Sequence, residues 1–522
     1  MARMLSPAAR GLAHLAVNRR FARISAFVAL ILSTIVLLSW SRRDPYDQSS
    51  WHSALLNGVA RGGSGKRPPA FYPFETTSAF YPVAFDGDLK NKTVKDLCAS
   101  FPHHLMQRIQ PVLKMGHGEN QKMVEAQLHS VSACFTNDEL LIFSDLEQDS
   151  HGRHAIDILA NLPQAYRERD PQGKPNPDFD NYEKLSALAR ANKLTPENDP
   201  ARGQNGWSLD KYKFLAEVER SWQMRPGRDF YVFYESDTYI SWDNMFRFLS
   251  TLDPNVPLYM GSPSPGRHDG RTTTWFANGG PGLVLSRGAM EKLLKRQSSS
   301  YGQYTDPPFA LKWQQLIRDD PCGDSVLGWA LWEAGVPLSG MFPMFNTYAA
   351  HNIPYTDRMW CQPFITMHKL RIEDMTGLWR WENGNRQLGR PLLYSDIYEF
   401  LSPVKPEVRQ NWDNTNWDRL AHGRDTYVDT LDACRQACRD SDICLSYHWQ
   451  GKHSRKCVLM PFVTLGVEKQ PEAKNKEGPN GKSVDESITF TSGWLKSRID
   501  RWRGDHVCRS PDWVYPSIER HF

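Results

Sequence analysis

Two carboxylates, Glu235 and Asp237, bracket Ser236 at the end of the apolar run Phe230-Tyr-Val-Phe-Tyr234. Carboxylate oxygens suit hard divalent ions such as Mn²⁺ or Mg²⁺, and such ions keep positions open for the oxygens of a substrate phosphate. The chemistry on offer is a metal–diphosphate site. Taken alone, Asp237 equally fits the first residue of a turn.

Three further segments bear on that choice. Thr274-Trp-Phe-Ala-Asn-Gly-Gly-Pro-Gly-Leu-Val-Leu-Ser-Arg-Gly288 is a glycine loop that permits close backbone approach to a ligand, with Ser286 able to cap a following helix. It also fits a plain tight loop before a strand. Asp324, in Pro321-Cys-Gly-Asp-Ser-Val-Leu-Gly328, precedes a predicted helix and suits either a general base or an N-cap. His368 follows the apolar run Phe364-Ile-Thr-Met367; it suits either a structural role or a Mn²⁺ ligand.

The elements that must position these residues alternate in the manner of an α/β domain. Strands are expected at Ile109–Leu113, Leu140–Phe143, Phe230–Phe233, Leu258–Met260 and Leu283–Leu285. Helices are expected at Leu209–Trp222, Asp243–Ser250, Arg287–Arg296 and Ser325–Glu333, with a further one near Tyr182–Asn192. The polar stretch from His151 to Gly206, rich in Pro and Asn, is otherwise expected to lie over the sheet as an extended or mobile segment. Gly116-His-Gly118 lacks the third glycine of a dinucleotide fingerprint.

Ile24 to Ser41 carries no charge across 18 residues, which at 1.5 Å per residue span about 27 Å, near the thickness of an early secretory membrane. Leu37-Leu-Ser-Trp-Ser-Arg42 offers no small-x-small cleavage site, so the reading is an uncleaved anchor. Arg3, Arg10, Arg19, Arg20 and Arg23 precede it, which leaves the N-terminus cytosolic and the rest lumenal. All nine cysteines follow the span, as an oxidising lumen permits, and Asn91-Lys-Thr93 is a glycosylation sequon. A net charge of +4, with basic and acidic residues interspersed, excludes nucleic acid as a partner.

The expected order is a cytosolic tail (1–23), the anchor (24–41), a Gly/Ser/Pro-rich stem (42–97), an α/β domain (98–380), a linker (381–425), a small cysteine-rich domain (426–497) and a tail (498–522). Cys434, Cys438, Cys444 and Cys457 fall within 24 residues, and without paired Cys-x-x-Cys spacing in a lumen they read as disulfides rather than a zinc site.

In order and spacing, the chemical segments resemble the fringe and β-1,3-galactosyltransferase family of inverting glycosyltransferases. Glu235-Ser-Asp-Thr-Tyr239 resembles that family's Asp-Asp-Asp-Thr-Tyr metal motif. Phe276-Ala-Asn-Gly-Gly-Pro-Gly282 resembles its Phe-Ala-x-Gly-Gly-Ala-Gly loop, and Asp324-Ser-Val-Leu-Gly328 its Asp-x-x-x-Gly segment. The resemblance covers roughly residues 105 to 370. It implies a GT-A fold and a UDP-sugar donor from which a hexose (galactose, glucose or GlcNAc) passes to a glycan or glycoprotein hydroxyl, in a β-1,3 linkage. It further implies Mn²⁺ or Mg²⁺ on Asp237 and His368 with Glu235 in support, Asp324 as base, and a Golgi or other secretory-pathway membrane.

Ser236 departs from the motif and bears, with Asp145, on donor contacts. Trp275, Phe276, Gly279, Gly280 and Gly282 are assigned to the donor or acceptor. The alternative is a scaffold without activity that binds glycan or protein together with its second domain. That domain resembles PAN/Apple modules, which implies nested pairs Cys434–Cys457 and Cys438–Cys444. Cys98–Cys134 and Cys322–Cys361 are candidate pairs, with Cys508 left over.

Overall fold

The computed structural model describes residues 91–520 apart from 169–172, 386–389, 402–406, 417, 419–421, 474, 478–482 and 486. The tail over 1–23, the anchor over 24–41 and all but the last residues of the 42–97 stem lie outside the described residues. Among the described residues no helix is long and apolar enough to cross a membrane. Asn91, in the sequon, is exposed.

All five apolar runs form strands of one eight-stranded sheet: β1 (Ile109–Lys114), β2 (Leu141–Ser144), β5 (Phe230–Glu235), β7 (Tyr259–Gly261) and β10 (Leu283–Ser286). β1, β2, β7 and β10 are buried at every residue, the pattern of strands covered on both faces. The order is β11-β7-β10-β5-β1-β2-β4-β3, where β3 is Gln148–Ser150, β4 Arg153–Asp157 and β11 Leu338–Gly340. β5, β1, β2 and β4 run parallel, whereas β10 lies antiparallel between β5 and β7. A small second sheet joins β6 (Tyr239–Ile240) to β13 (Thr366–Met367) and β12 (Phe345–Asn346), and β8 (Pro263–His268) pairs with β9 (Thr273–Ala277).

Two expectations need correction. The helix expected over 209–222 is two helices, α3 (Gln204–Asp210) and α4 (Lys213–Met224), preceded in the chain by α1 (Gln121–Leu128) and α2 (Pro177–Arg190). Tyr212 at the break turns inward and donates to Asn176 and Asp178, so Asp210 and Lys213 both point to the end of the sheet. The 151–206 stretch is not a loose cover. β4 extends the sheet, and Phe179 and Tyr182 of α2 join Tyr166 and Tyr212 in edge-on aromatic contacts.

Beyond the sheet, α5 (Trp242–Leu249) follows β6, α6 (Arg287–Leu294) follows β10, and α7 (Gly323–Glu333) leads into β11. α7 lies close against β9 because residue 328 is glycine: a Cβ there would sit 2.3 Å from the Phe276 Cβ. That approach sets the position of Asp324 at the helix start.

The cysteine-rich part is a five-stranded sheet, in the order Val408–Gln410, Ile488–Trp494, Ser446–Lys452, Lys456–Met460 and Arg424–Tyr427, with helix Leu431–Asp440 packed on it. Cys434–Cys457 and Cys438–Cys444 staple that helix to the sheet and its loop. A free linker over 381–425 is not what the structure holds. Helix Tyr394–Leu401 buries Tyr394, Ile397 and Tyr398, and Val408–Gln410 is an edge strand of the small sheet. Tyr355 and Val463 exchange backbone hydrogen bonds, and Val463, Leu465, Trp494 and Ile499 share one apolar cluster with Tyr355 and Trp360. The two domains therefore hold a common core.

The C-terminal residues close that arrangement. Cys98 pairs with Cys134 as expected, but the pairing Cys322–Cys361 is corrected: Cys361 bonds Cys508 and Cys322 is the free thiol. The reason is the path of the tail, which returns to the first domain, where Asp512 N–H donates to the Cys361 carbonyl and Trp513 stacks on Phe248. Closing the 147-residue separation is worth about 5 kcal/mol in the chain-entropy account.

Candidate active site

β5 ends on Glu235, and the chain turns through Ser236–Thr238 into β6. Thr238 holds this turn by accepting the Glu235 N–H at 3.0 Å and donating to the Gly280 carbonyl at 2.6 Å. β6 pairs antiparallel with β13 in the register Met367↔Tyr239, so the residue after β13 falls beside the turn. His368 Nε2 thereby lies 3.4 Å from Asp237 Oδ1, and one ligand atom each of Glu235, Asp237 and His368 lie within 4.8 Å of one another. Two neighbouring ligands of a hard octahedral ion stand about 3 Å apart, so the oxygen and nitrogen present fit a divalent cation.

Glu235 is held differently. In the β1–β5 register it faces Lys114, whose ammonium group lies 3.1 Å from its carboxylate and also pairs with Asp210. Burial opposes the charge on Lys114, but Asp210, Glu235 and Glu217 outweigh it and hold the lysine protonated above its ordinary range. Asp210, lowered despite burial by Lys114 and Lys213, stays ionised. Burial pushes the Glu217 carboxyl well up, against the pull of Lys114. Glu235 is thus largely neutralised by Lys114 and less free for a metal than Asp237.

Asp324 stands in the first turn of α7, half-buried. Its carboxylate accepts the Gly279 N–H at 2.9 Å and the Ser325 N–H at 2.9 Å. Burial raises its pKa to about 6, with the Gly279 hydrogen bond opposing and the Glu235 charge adding to the rise. A carboxylate of that pKa is ionised at neutral pH yet basic enough to take a hydroxyl proton. It is not the N-cap; that position is Cys322, which makes no side-chain capping bond.

Asp237, Glu235, Ser236 and Asp324 all line one cavity of about 600 Å³, within the range of small-molecule sites. Five carboxyl groups (Glu119, Asp210, Glu235, Asp237, Asp324) and three lysines (Lys114, Lys211, Lys213) line it. Gly280 also lines it and makes room for His368 beside Asp237, since a Cβ there would lie 2.0 Å from the His368 ring. Gly279 serves through its N–H, and Gly282 takes a positive φ (79°) beside the Phe233 carbonyl, a conformation that favours glycine.

The structure moves other expected residues away. Asp145 is fully buried behind the cavity, where it accepts the His117 N–H at 2.7 Å and faces Lys213 at 3.2 Å. Trp275 and Phe276, on β9, do not line the cavity; Phe276 packs on Gly328. The aromatic groups at the cavity are instead Trp207 of α3, 56% exposed, and the buried Phe214 of α4.

Lys114, Glu119, Asp210 and Lys213 complete the cavity lining but lie in none of the motifs of the sequence. Lys114 carries the same signal as Glu235, a charge ending an apolar strand. Glu119, in the loop after β1, accepts the Gly116 N–H at 2.8 Å and the Ser236 hydroxyl. Its surface is partly exposed, yet the protein around it desolvates the carboxyl group and raises its pKa to about 7 against the pull of Lys213.

A fringe-like family model matches residues 204–308, and a PAN-domain model matches residues 413–477. The first match contains the Glu235–Thr238 turn and the glycine loop and ends before Asp324 and His368. With the mixed sheet described above, the first domain has the GT-A fold and the second is a PAN domain with two disulfides. The fringe-like match supports a glycosyltransferase. No curated protein matches the chain.

Proposed function

We propose that the chain is a metal-dependent inverting glycosyltransferase that moves a hexose from a UDP-sugar to a hydroxyl of a glycan or glycoprotein, in a β-1,3 linkage. The observation that carries this reading is a cavity lined by both Asp237 and Asp324, with His368, 131 residues beyond Asp237 in sequence, 3.4 Å from the Asp237 carboxylate. Asp237 and His368 would hold the divalent cation, and Glu235, tied to Lys114, supports the turn. When bound, the cation offsets charge collecting on the departing diphosphate.

Asp324 accepts the proton of the acceptor hydroxyl while that oxygen attacks the anomeric carbon from the face opposite the leaving group. The Gly279 N–H steadies the carboxylate without protonating it. One displacement inverts the configuration, and no covalent enzyme intermediate is needed. Trp207 offers an apolar face for a sugar ring at the cavity.

The apolar 24–41 segment, the exposed sequon at Asn91 and four disulfides support a lumenal enzyme anchored in a Golgi or other secretory-pathway membrane. The test is a donor screen: full-length protein is incubated with UDP-galactose, UDP-glucose or UDP-GlcNAc, and UDP release is measured with Mn²⁺ and with EDTA. Release from one donor, abolished by EDTA, supports the proposal; equal release in EDTA refutes the metal's part.

A further inference from the structure

We propose that Glu119, held against Ser236 across the cavity, is a donor-recognition residue that reads a vicinal diol of the nucleotide sugar. The inference rests on the nucleotide-sugar reading above. Ser236 is buried at the turn between the two candidate metal-site carboxylates, and its hydroxyl offers neither a charge nor a second acceptor oxygen. A carboxylate arrives beside it from another element. Glu119 takes the Ser236 hydroxyl on Oε2 and the Gly116 N–H on Oε1 at 2.8 Å.

These contacts use one acceptor position on each oxygen and fix the plane of the group. A second position on each remains, and the side chain is open towards the cavity that it lines. In the ionised carboxylate two parallel acceptor oxygens match two adjacent hydroxyl donors, as a bidentate charge-assisted pair. The loop is also braced: a Cβ at Gly118 would lie 2.3 Å from the Ala201 carbonyl oxygen, so backbone packs directly on backbone there. Glu119 is thereby positioned before any ligand enters. Vicinal diols occur both on the ribose and on the hexose of such a donor, and the experiment separates them.

Calorimetric binding to the full-length protein with Mn²⁺ is measured for UDP, 2′-deoxy-UDP and the three UDP-hexoses, in wild type, Glu119→Gln and Ser236→Ala. Glu119→Gln is expected to weaken binding about 10- to 100-fold, the range of a lost hydrogen bond to a charged group. If the ribose is read, UDP itself weakens and the preference for UDP over 2′-deoxy-UDP disappears. If the hexose is read, UDP binds as before and only the UDP-hexoses weaken. Ser236→Ala, which leaves the Glu119 carboxyl group in place but less fixed, is expected to lose less, in the same pattern. It carries the test alone should Glu119→Gln fail to give the wild-type melting temperature. Wild-type affinity of both variants for every ligand overturns the proposal, whereas a wild type that binds none of them overturns the nucleotide-sugar reading on which it stands.

Discussion

Replacing Asp324 by Asn separates a base from a structural carboxylate, because the two roles predict opposite balances of rate and stability. In the folded chain the Asp324 pKa is about 6, against 3.8 for the ordinary side chain. The folded state therefore binds the proton more tightly than the unfolded one. Stability attributable to this group is full below pH 3.8, falls as pH rises through about 6, and is gone at pH 7.5. The difference corresponds to at most about 3 kcal/mol, and solvent reaching a half-buried group reduces it to about 1–2 kcal/mol.

Asn removes that penalty at pH 7.5. It also loses one of the two N–H hydrogen bonds from Gly279 and Ser325, since an amide presents one acceptor oxygen, at a cost of about 1–3 kcal/mol. The two effects nearly cancel at pH 7.5, whereas at pH 4.5 much of the relief is absent and the variant is the less stable protein. Transfer behaves differently: loss of a general base lowers the rate about 10²- to 10⁴-fold. Denaturant unfolding at the two pH values in EDTA, beside turnover at pH 7.5, reads both. A variant that transfers at the wild-type rate but is destabilised at both pH values refutes the assignment and leaves Asp324 a structural residue. In wild type the rate is expected to fall below about pH 6, as the base becomes protonated.

Asp237→Ala or His368→Ala should weaken Mn²⁺ binding at least about tenfold, a loss of 1.4 kcal/mol or more, in a titration followed by electron paramagnetic resonance; unaltered affinity would place the ion elsewhere. Lys114→Met should destabilise the fold by about 3–5 kcal/mol in denaturant unfolding, because Asp210 and Glu235 lose the buried cation between them. A thiol-titrating reagent should count one reactive cysteine in the non-reduced protein and none in Cys322→Ser, because the other eight are paired. Reaction should be slow at neutral pH, since burial raises the Cys322 pKa.

What was legible in the sequence follows from how local each signal is. Apolar runs flanked by charge gave the five sheet strands, and the end of β5 gave Glu235 and Asp237. Their partner His368 lies 131 residues beyond Asp237 and reaches it only through the β6–β13 register, so the residues alone made it a candidate and nothing more. Lys213 reads as a solvated position in a helical pattern. It is buried because the helix breaks at Tyr212, which no periodicity announces.

Trp275 and Phe276 drew notice through their place beside the glycine loop; their neighbours in space are elsewhere, on α7 for Phe276. The Cys361–Cys508 bond depends on the path of a tail whose return to the first domain is set by packing of Trp513 on Phe248, a contact across 265 residues. Glu119 was invisible for the same reason: its meaning comes from Ser236, 117 residues away.

The most direct test of the account follows the anomeric carbon itself. With Mn²⁺, a UDP-hexose turned over by the protein in the absence of acceptor should release free sugar to water, and proton NMR reads the anomer before it equilibrates. A single displacement on an α-linked donor, with water in the place of the acceptor hydroxyl and Asp324 as base, predicts that the β-anomer forms first, in step with UDP and lost in Asp324→Asn. Initial α-anomer, or β-anomer released undiminished by Asp324→Asn, would contradict it.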